Sequence, residues 1–186
     1  MTDTTERRPG DDTEPVRFMV QHISLDYTMR VSPLAERFGD QLRSGRIVGQ
    51  RCPSCGLVYV PTRAFCPMCT VGMAEEDELE LADRGIVTSF TVLTPIQYHG
   101  QKERDDYALA SILLDGADGT VGQQRLTDVP LDQIRMGMRV QAVWAPPEER
   151  TAAAVGRGYG FGNAITGWRP SGEPDAPTAE FAEHVL

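Results

Sequence analysis

At 186 residues, with 40% hydrophobic residues, the chain is long enough for one ordinary domain plus a small module and apolar enough to build a core. A net charge of −9 argues against nonspecific attraction to nucleic acid or anionic membranes, while leaving room for a local basic face. No apolar run approaches the roughly 18 residues of a membrane span, and the polar, acidic start is unlike a signal peptide, so a cytoplasmic protein is expected.

Residues 1–15 hold charges, Thr, Gly and Pro with almost no apolar content, the composition of a disordered arm. In residues 16–45 an extended segment precedes a helix. Val16, Phe18 and Val20 alternate, and Ile23, Leu25, Tyr27, Met29 and Val31 continue the alternation after a shift of one residue, which reads as an edge strand or as an arm that packs on a partner subunit. Ser32 as N-cap and Pro33 in the first turn then open a helix that Gly45 closes, with Leu34, Phe38 and Leu42 on one face.

Residues 46–72 carry the strongest chemical signal. Cys52, Cys55, Cys66 and Cys69 form two Cys-Pro-x-Cys knuckles, and the ten residues between Cys55 and Cys66 suffice for a hairpin that brings the pairs together. A closed, structural Zn2+ site is favoured over a rubredoxin-like iron site or a redox dithiol, and over two disulfides. Nothing else in the sequence suggests a redox partner, and an acidic chain without a leader favours reduced thiols. Gly56 after the first knuckle can take the left-handed conformation, whereas Thr70 stands where the second would also prefer glycine. Leu57 to Pro61 reads as a short strand, and the charge run Glu75, Glu76, Asp77 and Glu78 as a solvated connector.

Residues 79–170 have the texture of a small barrel. Strands are expected over residues 84–93, 107–114, 120–126 and 139–144, with a turn at 115–119, a helical turn at 130–134 and a closing strand after residue 155. The fold class is therefore mainly β: an N-terminal helix, a four-cysteine zinc ribbon, then a five-stranded OB-fold barrel. Residues 171–186, with Pro174, Pro177 and several charges, read as a flexible tail whose apolar end, Phe181, Val185 and Leu186, docks on a neighbour.

The chain carries no recognisable active site of its own. His22, His99 and His184 fall in an arm, a loop and a tail; all four thiols are committed to metal; and no serine stands in a nucleophile elbow.

Residues 45–56, Pro61, Thr62 and Arg63 ahead of the second knuckle, 85–92, and Met136 to Val140 resemble the acyl-CoA-associated family that joins a rubredoxin-like zinc ribbon to an OB fold. The resemblance covers about residues 33–146 and implies an accessory subunit in a hetero-oligomer, not a lone catalyst. The partner it implies is a thiolase-like or lipid-transfer-type protein acting on acyl-CoA by thiolysis or retro-aldol carbon–carbon cleavage, with steroid side chains among the family's substrates. In such a complex a CoA thioester is the ligand. Lys102 and Arg104, in the long loop at 95–106, are candidates to meet its phosphates. Tyr159 and Phe161, in a glycine-aromatic stretch at 156–162, are candidates to stack on its adenine or on the partner; ordinary surface charges and a simple turn are the alternative readings. A single-stranded nucleic-acid-binding OB module and a stand-alone acyl-CoA-binding protein remain rivals. The absence of a basic stripe around Phe90 and Tyr107 makes nucleic acid the weaker partner.

Overall fold

A computed structural model describes residues 30–95, 104–150 and 161–185, together with Gln21, Ile23 and Leu25. The expected disordered arm at 1–15 lies outside them.

Helix α1, Pro33–Arg43, starts as its sequence dictates: the Ser32 side chain accepts from the Ala35 amide at 3.2 Å and proline occupies the first turn. It ends at Gly45, whose φ of +78° lets its amide reach the Leu42 carbonyl at 2.9 Å. Phe38 and Leu42 are fully buried. On the other side Arg37 donates from Nε and Nη2 to Glu78, and Gln41 donates to the second oxygen of the same carboxylate at 2.8 Å.

That carboxylate corrects the reading of the charge run. Glu75 and Glu76 are solvent-exposed as expected, but the run is not only a connector: Glu75–Asp77 form a 3-10 turn and Glu78 opens a strand. Strands β1 (Ile47–Arg51), β2 (Val58–Tyr59) and β3 (Glu78–Leu81) form an antiparallel sheet in the order β2-β1-β3. The sheet of the ribbon thus takes its third strand from beyond residue 72, and that strand leads into the barrel.

The barrel is built from β4 (Arg84–Leu93), β5 (Tyr107–Leu114), β6 (Thr120–Arg125), β7 (Arg139–Trp144) and β8 (Ile165–Pro170), all antiparallel neighbours in the order β6-β5-β4-β7-β8. Closure comes from a parallel bridge between Leu126 and Trp168, with the Thr127 amide donating to the Trp168 carbonyl at 2.8 Å. This is the five-stranded connectivity of an OB fold. Gly85 marks the tightest approach between strands, because a Cβ there would lie 2.4 Å from the Leu113 carbonyl oxygen.

One apolar core runs through barrel and helix: Val87, Ile112, Leu114, Val140 and Trp168 pack with Phe38 and Leu42 of α1 and with Ile47 and Val60 of the ribbon. Asp118, in the β5–β6 turn, adds a polar tie. It accepts the Val58 amide on its side chain and donates its own amide to the Val58 carbonyl, each at 2.8 Å.

The tail departs from its expectation as a flexible segment. It folds back on the chain's own barrel, where Phe181, 4% exposed, packs on Ile86, Leu113 and Ala176. Arg135 grips both oxygens of Asp175, Arg139 and Arg84 both reach Glu173, and the Ala176 amide donates to Gly137. Proline and charge content alone read as loose chain; ion pairs to strands 34 to 89 residues away are invisible locally.

Candidate metal centre and exposed apolar surface

The two knuckles are built alike. The Cys52 amide donates to Leu57 and the Gly56 amide back to Cys52; the Cys66 amide donates to Val71 and the Thr70 amide back to Cys66. Both turns need a left-handed residue in the same place, which is Gly56 (φ +77°) in one and Thr70 (φ +56°) in the other. A side chain there costs about 1–2 kcal/mol, partly offset by the extra backbone entropy that glycine loses on folding. Thr70→Gly is thus expected to stabilise the chain by about 0.5–1 kcal/mol, read as a higher urea midpoint with unchanged slope.

These turns aim amides at sulfur. Ser54 and Cys55 donate to the Cys52 Sγ and Cys69 to the Cys66 Sγ, all at 3.4 Å, and the Tyr59 hydroxyl sits 3.6 Å from the Cys66 Sγ. The four sulfurs lie within 4.8 Å of one another, and Cys55 and Cys66 are 3.7 Å apart. Thiolates held about 2.3 Å from a tetrahedral zinc would be separated by about 3.8 Å, so the donor set fits that ion. Four thiolates fill the tetrahedron and leave no position for water or substrate, the arrangement of a structural site.

The charges of the cluster make the same point. Around Cys55 the Leu57 amide favours the thiolate, but desolvation and the neighbouring thiols Cys69, Cys52 and Cys66 push the thiol up to about 12. Burial opposes ionisation of Cys66, yet hydrogen bonds from Tyr59 and from the Cys69 and Met68 amides bring it down to about 6. Thiols this close cannot all ionise together without a cation to balance them.

Around the sulfurs, Cys52, Cys66, Tyr59 and Met73 form a small buried cluster, whereas Cys55 faces solvent. Gln50 braces it from β1. The residue is fully buried, donates to the Ala74 carbonyl at 2.7 Å and accepts the Arg63 amide at 2.9 Å, so it pins the chain on either side of the second knuckle. Gln50→Ala would strip the Ala74 carbonyl and the Arg63 amide of their partner and empty the buried site that the side chain fills, and a loss of about 1–3 kcal/mol is expected in chemical denaturation. Neither Gln50 nor Tyr59 was singled out from the sequence.

Of the other candidate residues, two are described and two are not. Lys102 and Tyr159 lie outside the described residues. Arg104 is exposed just ahead of β5. Phe161 is a core residue: it is 1% exposed, and its ring is 5.9 Å from that of Trp168, so the stacking it makes is internal and an adenine has no access to it. A surface cavity of about 300 Å³ between β7 and the tail is lined by Arg135, Arg139, Glu173 and Asp175, whose charges are already joined in the ion pairs described above.

Among the described residues, large apolar side chains are exposed singly at Met136 and Val185, ahead of α1 at Ile23, Leu25 and Val31, and in two groups. Phe65 (65%), Met68 (73%) and Val71 crown the second knuckle, and Phe90 and Val92 stand on the outer half of β4. Among the described residues no helix is long and apolar enough to cross a membrane.

Comparison with known proteins agrees with this architecture. Residues 40–72 match the rubredoxin-like zinc ribbon domain of ChsH2, and residues 78–145 match the ChsH2 C-terminal OB-fold domain. A DUF35 domain-containing scaffold protein of Methanocaldococcus jannaschii is 30% identical over 116 residues, 62% of this chain and 79% of the relative. One from Pyrococcus furiosus is 30% identical over 117 residues, 62% and 78% of the respective chains. Among solved structures, a chain of the Ltp2-ChsH2(DUF35) aldolase shares the fold at a TM-score of 0.55 and 20% identity, over 77% of this chain and 99% of that one. With ribbon and barrel matched in the same order, and with relatives spanned over most of their length, this chain belongs to the DUF35 family.

Proposed function

We propose that the chain is a non-catalytic accessory subunit that docks on a thiolase-like enzyme and helps that enzyme cleave carbon–carbon bonds in acyl-CoA thioesters. The observation that carries this reading is the apolar crown on the second knuckle. Phe65, Met68 and Val71 are exposed beside a four-cysteine cluster whose thiolates would fill the coordination shell of a zinc ion. Exposed apolar side chains on a fixed scaffold are what the centre of a protein interface is made of. The scaffold designation of the relatives and the aldolase assembly named for the structural neighbour support the same reading. The ribbon would stabilise the partner, and the barrel, with Lys102 and Arg104 toward CoA phosphates and Tyr159 toward its adenine, would help shape the substrate channel. Whether the reaction is thiolysis or retro-aldol cleavage, and whether the acyl group is a steroid side chain, is decided by the partner's active site.

Phe65→Asp combined with Met68→Asp tests the docking. Both side chains are solvated in the free chain, so zinc content and melting temperature should stay as in the wild type while co-purification of the thiolase-like enzyme falls at least about tenfold. Undiminished co-purification would remove the crown from the interface.

A further inference from the structure

Among the described residues, the outer half of β4 has a strand partner on one side only. Strand β7 pairs with β4 only at Arg84, Gly85 and Ile86, and the last bonds between the two segments join Val87 to Gly137 and Met138. From Ser89 to Leu93 the strand is paired with β5 on one side, and no described strand pairs with the other. Opposed residues of an antiparallel pair share a face, and Phe90 and Val92 stand opposite Ala110 and Ala108, both buried. Phe90 and Val92 thus continue the barrel's inner, apolar face past the point where β7 departs, and they remain 38% and 43% exposed. Residues 89–93 contain neither proline nor a charged residue, the usual guards of an exposed edge.

The same sequence holds a second alternating stretch. Ile23, Leu25, Tyr27, Met29 and Val31 alternate with Ser24, Asp26, Thr28 and Arg30, just as Phe90 and Val92 alternate with Ser89 and Thr91. One side of such a strand would cover Phe90 and Val92 while its polar side stays wet. Ile23 and Leu25 are 77% and 79% exposed, so the chain that carries them does not cover them.

We propose that residues 23–31 of one copy add as a strand to the 89–93 edge of β4 in a second copy, and that the exchange is reciprocal about a twofold axis. The occupant is this chain's own segment because its alternation and apolar face match those of the edge, because it is long enough to span residues 89–93, and because Ile23, Leu25 and Val31 on the segment and Phe90 and Val92 on the edge are all exposed. A symmetric exchange closes on itself and leaves neither edge free to propagate.

The test uses the purified full-length chain and two double variants, Ile23→Asp with Leu25→Asp and Phe90→Ser with Val92→Ser. All four residues are solvent-exposed in the single chain, so neither variant should disturb the fold, and an unchanged circular dichroism spectrum checks this. The wild type is expected to scatter light as twice 20.5 kDa, and each variant as 20.5 kDa. Amide exchange at residues 89–93 should be slower in the wild type than in either variant by on the order of tenfold or more. A monomeric wild type overturns the exchange, whether or not those amides are protected, and so does a dimer that survives both variants. If one variant fails to fold, the other decides alone.

Discussion

Replacing Cys66 by serine is expected to release the metal and to lower the stability of the whole chain, not of the ribbon alone. Cys66 is the best-placed donor of the four: it is buried, its Sγ lies 3.4 Å from the Cys69 amide nitrogen, and the Tyr59 hydroxyl stands 3.6 Å from it. Structural zinc in small peptides carries roughly 10–16 kcal/mol of apparent binding energy, most of which appears as folding energy. The ribbon cannot loosen by itself, because Ile47 and Val60 sit in the barrel core and Asp118 bonds Val58 from the β5–β6 turn. A loss of about 4 kcal/mol or more is therefore expected, together with a fall from one zinc per chain to almost none after dialysis. Chelator should bring the wild type down toward the variant and leave the variant unchanged. Full zinc retention with an unaltered melting temperature would mean that the cluster is not what holds the ribbon.

Trp168→Ala should be about as damaging, through packing alone. The indole is fully buried, lies against Phe161, donates to Gln124 at 3.2 Å, and sits where the barrel closes onto residues 126 and 127. Removing a buried indole leaves a cavity that the surrounding strands fill only in part, a cost of about 3–5 kcal/mol. Trp168→Phe keeps most of the contact and forfeits the hydrogen bond, for about 1–2 kcal/mol. Denaturant midpoints should fall in the order wild type, Phe, Ala. Equal midpoints for the two variants would put the hydrogen bond, and not the packing, in charge of closure.

Much of the architecture was legible one residue at a time. The bounds expected for β4, β5 and β7 coincide with the strands observed, because β-branched and alternating residues there are bracketed by glycine or charged turns. The helix was equally plain, since Ser32, Pro33 and Gly45 act locally and need no tertiary help. The metal ligands were fully visible, because the knuckle spacing is itself the geometry.

What was hidden depends on partners far along the chain. Glu78 looks like part of an acidic run until Arg37 and Gln41 of the helix and the β1 ladder turn that stretch into a strand. The tail looked loose until Arg84, Arg135 and Arg139 supplied its counter-charges. Phe161 looked exposed because glycines surround it in the sequence, yet the barrel needed an apolar plug beside Trp168. In each case the composition was read correctly, and a long-range contact decided the outcome.

The central claim is that this chain works on a partner enzyme. The most direct measurement is a pull-down of the tagged wild-type protein from its native host at moderate and at high salt, with mass spectrometry of the bound proteins and metal analysis of the eluate. An apolar interface should persist where charge-driven contacts wash away. The expected result is a thiolase-like protein retained at high salt with one zinc per chain. Recovery of nucleic acid that leaves with salt, or of no protein at all, would contradict the accessory-subunit account.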